Sequence, residues 1–273
     1  MYAASGTDVS VPQRHPTALA NAPDDVADSA RQILTAAGVT IITSAGVTAV
    51  DDGPDEALVH YVKDGATHTV PADKILVALG RRPVTADLGL DAAGIATRAD
   101  GSIVVDGHLR TSAPHVFAVG DVNGGPQFTY VSLDDYRIVL DQLVGKGIRS
   151  TADRVAVPYV LFMTPPLARV GITQCEAERR GLAVKTAAMR VIDLATVPRA
   201  RIVSETEGMM KVVVDAATDQ ILGAALLSYD SHEVINLVAM AMRHGITATT
   251  LRDGIYTHPS MSEAFNQLLS ALH

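Results

Sequence analysis

Thr111-Ser112-Ala113-Pro114-His115-Val116-Phe117-Ala118-Val119-Gly120-Asp121 decides the fold class of this 273-residue chain. Val116 to Val119 is a short apolar run without alternation, as a strand buried on both faces requires. It closes on Gly120-Asp121, and Asn123-Gly124-Gly125-Pro126 follows as turn chemistry. A helix is expected over roughly Phe128 to Leu143, because Val131, Ile138, Val139 and Leu143 recur at near-helical spacing. Strand, glycine–carboxylate corner and helix in that order argue an α/β architecture with a corner suited to a nucleotide. Taken alone, a strand-end turn in any α/β protein would read the same way.

The tail supplies the second candidate, Tyr256-Thr257-His258-Pro259-Ser260-Met261-Ser262-Glu263. Pro259 suits the first position of a helix, which would put His258 at the helix mouth and Glu263 about one turn in. A carboxylate against an imidazole fixes its tautomer and stabilises its protonated form, which a general acid–base needs. A helix-start histidine with a dipole-compensating glutamate is the alternative. A third block, Ala72-Asp73-Lys74-Ile75-Leu76-Val77-Ala78-Leu79-Gly80-Arg81-Arg82-Pro83, reads as a buried strand closed by glycine and proline.

Bulk properties narrow the classes. Hydrophobic residues make up 48% and aromatics only 4%, so a sizeable core of aliphatic side chains is expected. The net charge of −8, with no lysine- or arginine-rich block, argues against a nucleic-acid surface. The longest strongly apolar stretch, Val234 to Met242, is bounded by Glu233 and Arg243 and is too short to span a bilayer. Asp8 interrupts the basic-then-apolar order of a signal peptide. The single cysteine, Cys175, cannot form an internal disulfide, so a reducing cytoplasm is expected. Glu176 and Glu178 beside it would raise its pKa, so it is assigned a structural rather than a catalytic role. No metal site is read from the sequence.

The rest of the chain divides by pattern. Asp8 to Val11 and Val39 to Thr43 read as strands around a helix from Asp24 to Ala37, which Gly38 ends. Val47 to Val50, Ala57 to Val62 and His68 to Val70 form a meander, with a turn at Lys63-Asp64-Gly65. Beyond Ala152, strands are expected at Val155 to Val160, Val184 to Arg190, Gly208 to Asp215 and Ile221 to Ser228. Helices are expected at Thr173 to Arg180, opening on a capping box Thr173-Gln174-Cys175-Glu176, and at Glu233 to His244.

In this order and spacing the blocks resemble the class I pyridine nucleotide–disulfide oxidoreductases. The tail resembles that family's His-Pro-Thr-x-x-Glu signature, with Ser260 in the threonine's place. The Thr111–Asp121 block looks like its second flavin motif. The Ala72–Pro83 block resembles its Ala-Thr-Gly-Arg-x-Pro hinge, with Leu79 replacing threonine. The resemblance implies a mixed α/β and α+β protein. Residues 1–79 would be a partial NAD(P)-binding domain and 80–150 the C-terminal part of an FAD-binding domain. Residues 151–273, including Pro165-Pro166-Leu167-Ala168-Arg169-Val170-Gly171-Ile172-Thr173, would be an α+β dimerisation domain with an antiparallel sheet.

The same resemblance implies FAD and NAD(P)H as cofactors and a homodimer in which the tail histidine reaches the opposite subunit's flavin site. Carried over, Gly80 and Arg81 belong to the hinge, Gly120 and Asp121 meet the ribityl chain, and Phe128 and Thr129 lie near the isoalloxazine. Arg14, in Pro12-Gln13-Arg14-His15, stands where the family chooses its nicotinamide and leans towards NADP, because a basic residue there could meet the 2′-phosphate. Electrons would pass from NAD(P)H through FAD to a cysteine pair and on to a small oxidised-sulfur or reactive-chlorine-derived substrate. His258, polarised by Glu263, would relay the proton.

Ser231-His232-Glu233, Pro198-Arg199-Ala200-Arg201 and Leu251-Arg252-Asp253 look most like the hypothiocyanous-acid reductase branch. Asn266 to His273 lacks the vicinal cysteines of mercuric reductases, and Thr257 stands where dihydrolipoamide dehydrogenases carry histidine. The chain holds no Gly-x-Gly-x-x-Gly loop and no Cys-x₄-Cys pair. It is therefore expected to be the C-terminal half of such an enzyme, inactive alone, with a separate N-terminal half as a further partner. A non-catalytic dimerisation module that keeps the inherited fold is one alternative, and dihydrolipoamide dehydrogenase- or mercuric reductase-type activity is the other.

Overall fold

The computed structural model describes residues 1–19, 21–54 and 56–273. Its chain forms two compact units, one of Met1–Ile75 with Ala156–His273 and one of Leu76–Val155. In the first unit, β1 (Val9–Pro12) pairs in parallel with β2 (Val39–Ile42), Val9 opposite Val39, across α1 (Asp24–Ala36). A parallel pair needs such a crossover, and a helix is the usual one. Asp24 and Asp25 in the first turn of α1 complement its dipole, while Val26, Ala27 and Ala30 form its buried face. An antiparallel meander follows, of β3 (Gly46–Asp51), β4 (Ala57–Lys63) and β5 (Ala66–Ala72). The β4–β5 hairpin turns on Asp64 and Gly65, both left-handed (φ 51° and 77°), and Lys63 faces Ala66. A two-residue turn of this hand matches the twist of its strands.

The Leu76–Val155 unit has a small core of Ile95, Ile103 and Ala118, with Leu90, Val105, Val116 and Val122 against it. Its one long helix, α2 (Thr129–Val144), lies where helical spacing placed it. Two expected strands do not form. Val116 to Val119 makes only an isolated bridge, Phe117 with Arg110. After β5 ends at Ala72 the chain runs irregularly, with Leu76 and Val77 about three-quarters exposed and Leu79 91% exposed. Both runs are apolar enough for strands, but a strand also needs neighbours for its N–H and C=O groups. The described residues offer these runs no ladder.

The remaining elements are β6 (Tyr159–Leu161), β7 (Leu167–Gly171), α3 (Gln174–Arg179), β8 (Val184–Arg190), α4 (Pro198–Ile202), β9 (Met209–Asp215) and β10 (Ile221–Leu227). They are followed by α5 (Ser231–Arg243), α6 (Ala248–Arg252) and α7 (Ala264–Leu268). The strands form one antiparallel sheet in the order β6-β7-β10-β9-β8. Alternation gives the sheet two apolar faces. Ala168, Val170, Met210, Val212 and Leu226 meet Ile235 and Val238 of α5 and Phe265 of α7 in the main core. Leu167, Ala225 and Leu227 meet Val26 and Ala30 of α1 on the other side. The mixed α/β and antiparallel α+β character expected from the sequence is thus present. The strand expected over Val155 to Val160 shrinks to β6, since Ala156 is left-handed (φ 51°) and Pro158 has no N–H to donate. The capping box of α3 is half built. Thr173 Oγ1 accepts the Glu176 N–H at 3.1 Å, while the Glu176 carboxylate turns to Arg180.

Candidate functional site

In the first unit the tail brings its two candidate groups together. His258 Nδ1 lies 2.8 Å from Glu263 Oε1, and Glu263 Oε2 accepts the Ser260 N–H at 2.8 Å. The expected helix from Pro259 is absent. The His258–Pro259 peptide is cis, the chain bends through to Glu263, and α7 begins only at Ala264. The Glu263 side chain closes this turn, so the carboxylate clamps the loop instead of standing inside a helix. Met261, Ala264, Phe265 and Leu268 anchor the segment in the core, which leaves the His258 side chain 69% exposed over a Glu263 that is 14% exposed.

Two neighbours that the sequence reading missed hold the loop from behind. Asn266 Nδ2 donates to the carbonyls of Arg252 and Gly254, and Tyr256 Oη donates to the Leu251 carbonyl. Burial pushes the Tyr256 phenol up to about 12, so it stays a donor at any working pH.

Burial pushes the Glu263 carboxyl up, but the bonds from His258 and Ser260 outweigh it and leave the group below the usual carboxylate range. Ionised Glu263 can only accept, so Nδ1 carries the proton and Nε2 is left to exchange one. A carboxylate depressed in the folded state adds stability that is complete above its ordinary value, here 4.5, and is lost as pH falls through the folded value. Glu263→Gln is therefore expected to destabilise the chain at neutral pH and progressively less below about pH 4.5. Thermal unfolding of both forms between pH 3 and 7 measures this, and a pH-independent gap would refute the linkage.

In the Leu76–Val155 unit the glycine–carboxylate corner is built by residues the motif does not contain. Gly120 and Gly124 are left-handed (φ 75° and 72°) and bracket a single 3₁₀ turn. A side chain on Gly124 would stand 2.7 Å from Ser102 Oγ. Asp135 of α2 is 1% exposed, and its Oδ2 accepts the Gly120 N–H at 2.6 Å and Asn123 Nδ2 at 3.0 Å. Its Oδ1 accepts from Arg154. Arg154 Nε and Arg149 Nη2 both bond Asp134, each at 2.7 Å. Burial pushes Asp134 up, but the two guanidinium bonds prevail and hold it low. The signal for Asp135 was a carboxylate on the otherwise apolar stripe Val131, Asp135, Ile138.

This scaffold leaves Asp121 half exposed, with Arg81 Nη1 3.6 Å from its Oδ2. The corner thus unites Arg81, Gly120 and Asp121, while Gly80 (φ 110°) turns the chain just before Arg81. The N-terminus of α2 has no side-chain cap, and the rings of Phe128 and Tyr130, on either side of its first residue, stack 5.1 Å apart and 8° from parallel. Thr129 is the first residue of α2. A carboxylate acceptor, an uncapped helix end and a flat aromatic face fit the ribityl and ring portions of a flavin. The adenosine portion finds no glycine-rich loop in this sequence. Arg14 lies exposed in the turn after β1, without an ion-pair partner among the described residues. Cys175 is an exposed free thiol. No helix among the described residues is long and apolar enough to cross a membrane, and no cluster of three or more metal-ligating side chains occurs among them.

Comparison with known proteins gives the family. Residues 1–135 match the pyridine nucleotide-disulphide oxidoreductase family, and residues 157–269 match that family's dimerisation domain. The probable pyridine nucleotide-disulfide oxidoreductase RclA of Escherichia coli strain K12 is 45% identical over 99% of this chain and 60% of its own length. A mercuric reductase of Bacillus cereus is 32% identical over 94% of this chain and 40% of its own length. The solved structure titled HOCl-induced flavoprotein disulfide reductase RclA from Escherichia coli superposes with a TM-score of 0.92 at 44% identity, over 98% of this chain and 61% of that one. The chain therefore spans less than two thirds of these relatives. By its two matching segments and its relatives, it belongs to the class I pyridine nucleotide–disulfide oxidoreductases.

Proposed function

We propose that this chain forms the flavin-facing and dimer-forming portion of an FAD-dependent NAD(P)H:disulfide-type oxidoreductase, with His258 and Glu263 as its proton relay. The observation that carries the reading is the 2.8 Å contact between an exposed imidazole and an ionised, half-enclosed carboxylate. With Nδ1 tied to Glu263, His258 Nε2 takes a proton from an attacking thiol and returns it to a leaving thiolate, as thiol–disulfide interchange requires. When bound, FAD supplies the redox centre between the nicotinamide and a cysteine pair. Asp121 and Gly120 would hold its ribityl chain, Phe128 and Thr129 its ring system, and Gly80 with Arg81 the adjoining hinge. Arg14 would meet the 2′-phosphate of NADP.

The division into residues 1–79, 80–150 and 151–273 belongs to the same proposal, as do a homodimer in which His258 serves the opposite subunit and a cytoplasmic location. The substrate is a small oxidised-sulfur or reactive-chlorine-derived compound, such as hypothiocyanous acid. Greater identity to RclA than to the mercuric reductase, 45% against 32%, and an HOCl-induced relative support that choice. With neither a Gly-x-Gly-x-x-Gly loop nor a Cys-x₄-Cys pair, the 273-residue chain supplied with FAD and NAD(P)H is expected to show no steady NAD(P)H oxidation. Joined to a segment that carries both, it is expected to turn over with such an oxidant. Steady consumption by the chain alone would contradict this division of labour.

A further inference from the structure

The five-stranded sheet carries a buried charge that no described side chain neutralises. Arg169 of β7 shares the α1-facing side of the sheet with Leu167, is 7% exposed, and makes no ion pair with a described carboxylate. Its Nη1 donates to Tyr159 Oη at 2.9 Å, and its guanidinium lies 5.6 Å from the centre of the Tyr159 ring. Its Nε is buried without any hydrogen-bond partner. A phenol and a ring face compensate a desolvated cation poorly, so such groups normally hold a counter-ion.

Strand register sets a second cation beside the first. Ala225 of β10 stands opposite Arg169 on one side and opposite Lys211 of β9 on the other. The two cations therefore rise from one row, about 10 Å apart at the backbone, with only a methyl group between them. Lys211 Nζ is matched by Asp25 Oδ2 at 2.8 Å, whereas Arg169 has no carboxylate partner among the described residues. Pro23 at the mouth of α1, together with Ile172 and Thr173, completes the wall of a recess of about 10 Å³, the space of about one water-sized sphere. The N-terminus of α1 has no side-chain cap at Pro23, and Asp24 and Asp25 in its first turn complement its dipole.

We propose that this recess is a small-anion site, taking a single halide-sized monovalent ion held by Arg169 beside the Lys211–Asp25 pair, at the mouth of α1. A water molecule would fill the volume but leave the guanidinium uncompensated, and so small a recess favours a monatomic anion over a phosphate or sulfate. Because the recess lies where α1 meets the β7–β10–β9 row, its occupant braces α1 against the sheet. The site lies outside the corner at Asp121 and the His258–Glu263 pair, and the proposal does not depend on their roles.

Thermal unfolding of the 273-residue chain in chloride and in methanesulfonate, at equal pH and ionic strength, reads the site through linkage. Chloride is expected to raise Tm by about 2–4 °C with a saturating concentration dependence. Arg169→Met is expected to abolish the difference between the two salts. Equal Tm values for the wild-type chain in both salts would overturn the proposal, as would an undiminished chloride effect in Arg169→Met. Should Arg169→Met not fold, bromide-soaked crystals of the wild-type chain decide. An anomalous peak within hydrogen-bonding distance of Arg169 supports the site, and water alone in the recess refutes it.

Discussion

Asp135→Ala is expected to cost the Leu76–Val155 unit about 3 kcal/mol and to open the Gly120–Asp121 corner. Asp135 is 1% exposed and is the point where three donors converge: the Gly120 N–H, Asn123 Nδ2 and Arg154. Its removal leaves the Gly120 N–H without an acceptor and weakens the hold on Asn123 Nδ2, which keeps the Ala118 carbonyl, and a buried donor without a partner costs far more than the bond itself contributed. The loss stays at the lower end for a broken buried pair because Arg154 keeps Asp134. Asp135→Asn should be nearly as damaging, since an amide that accepts from one of these donors must point its own N–H groups at the others. Urea unfolding followed by tyrosine fluorescence gives the stability. Amide exchange over residues 118–125 gives the local effect, which should far exceed that in the five-stranded sheet. A loss below about 0.5 kcal/mol would show that the turn holds itself.

His258→Ala, in a complete enzyme supplying the cysteine pair, is expected to lower turnover by about 10²- to 10⁴-fold, the usual worth of a positioned acid–base. Stability should change little, because the side chain is 69% exposed and, among the described residues, bonds Glu263 alone. Glu263→Gln keeps an acceptor beside Nδ1 and so still orients the ring, and turnover should fall less. Bound flavin should remain in both variants. Its loss from His258→Ala would assign the histidine a structural role instead.

The dyad was legible because its members lie five positions apart and one turn unites them. The local rule that placed Pro259 at a helix start failed because the loop is closed by a side chain: the Ser260 N–H goes to Glu263. The corner was half legible. Gly120 and Asp121 announce a turn, but the group that fixes it is Asp135, a whole helical segment later. An isolated carboxylate on the apolar stripe of α2 was the available clue. The strand readings at Val116 to Val119 and from Ala72 to Leu79 erred because apolarity states a preference for burial without supplying neighbours to pair with. Within the antiparallel sheet, where partners follow one another closely in the chain, the strands at β8, β9 and β10 fall within a residue of their expected bounds.

The relay can be tested most directly by rapid mixing of the complete enzyme in its wild-type and His258→Ala forms, with the two half-reactions followed separately. The account predicts that bleaching of the flavin absorbance by NAD(P)H keeps its wild-type rate, while reoxidation by the sulfur substrate slows by about 10²-fold or more. Reoxidation at the wild-type rate in His258→Ala would contradict a proton relay at this pair.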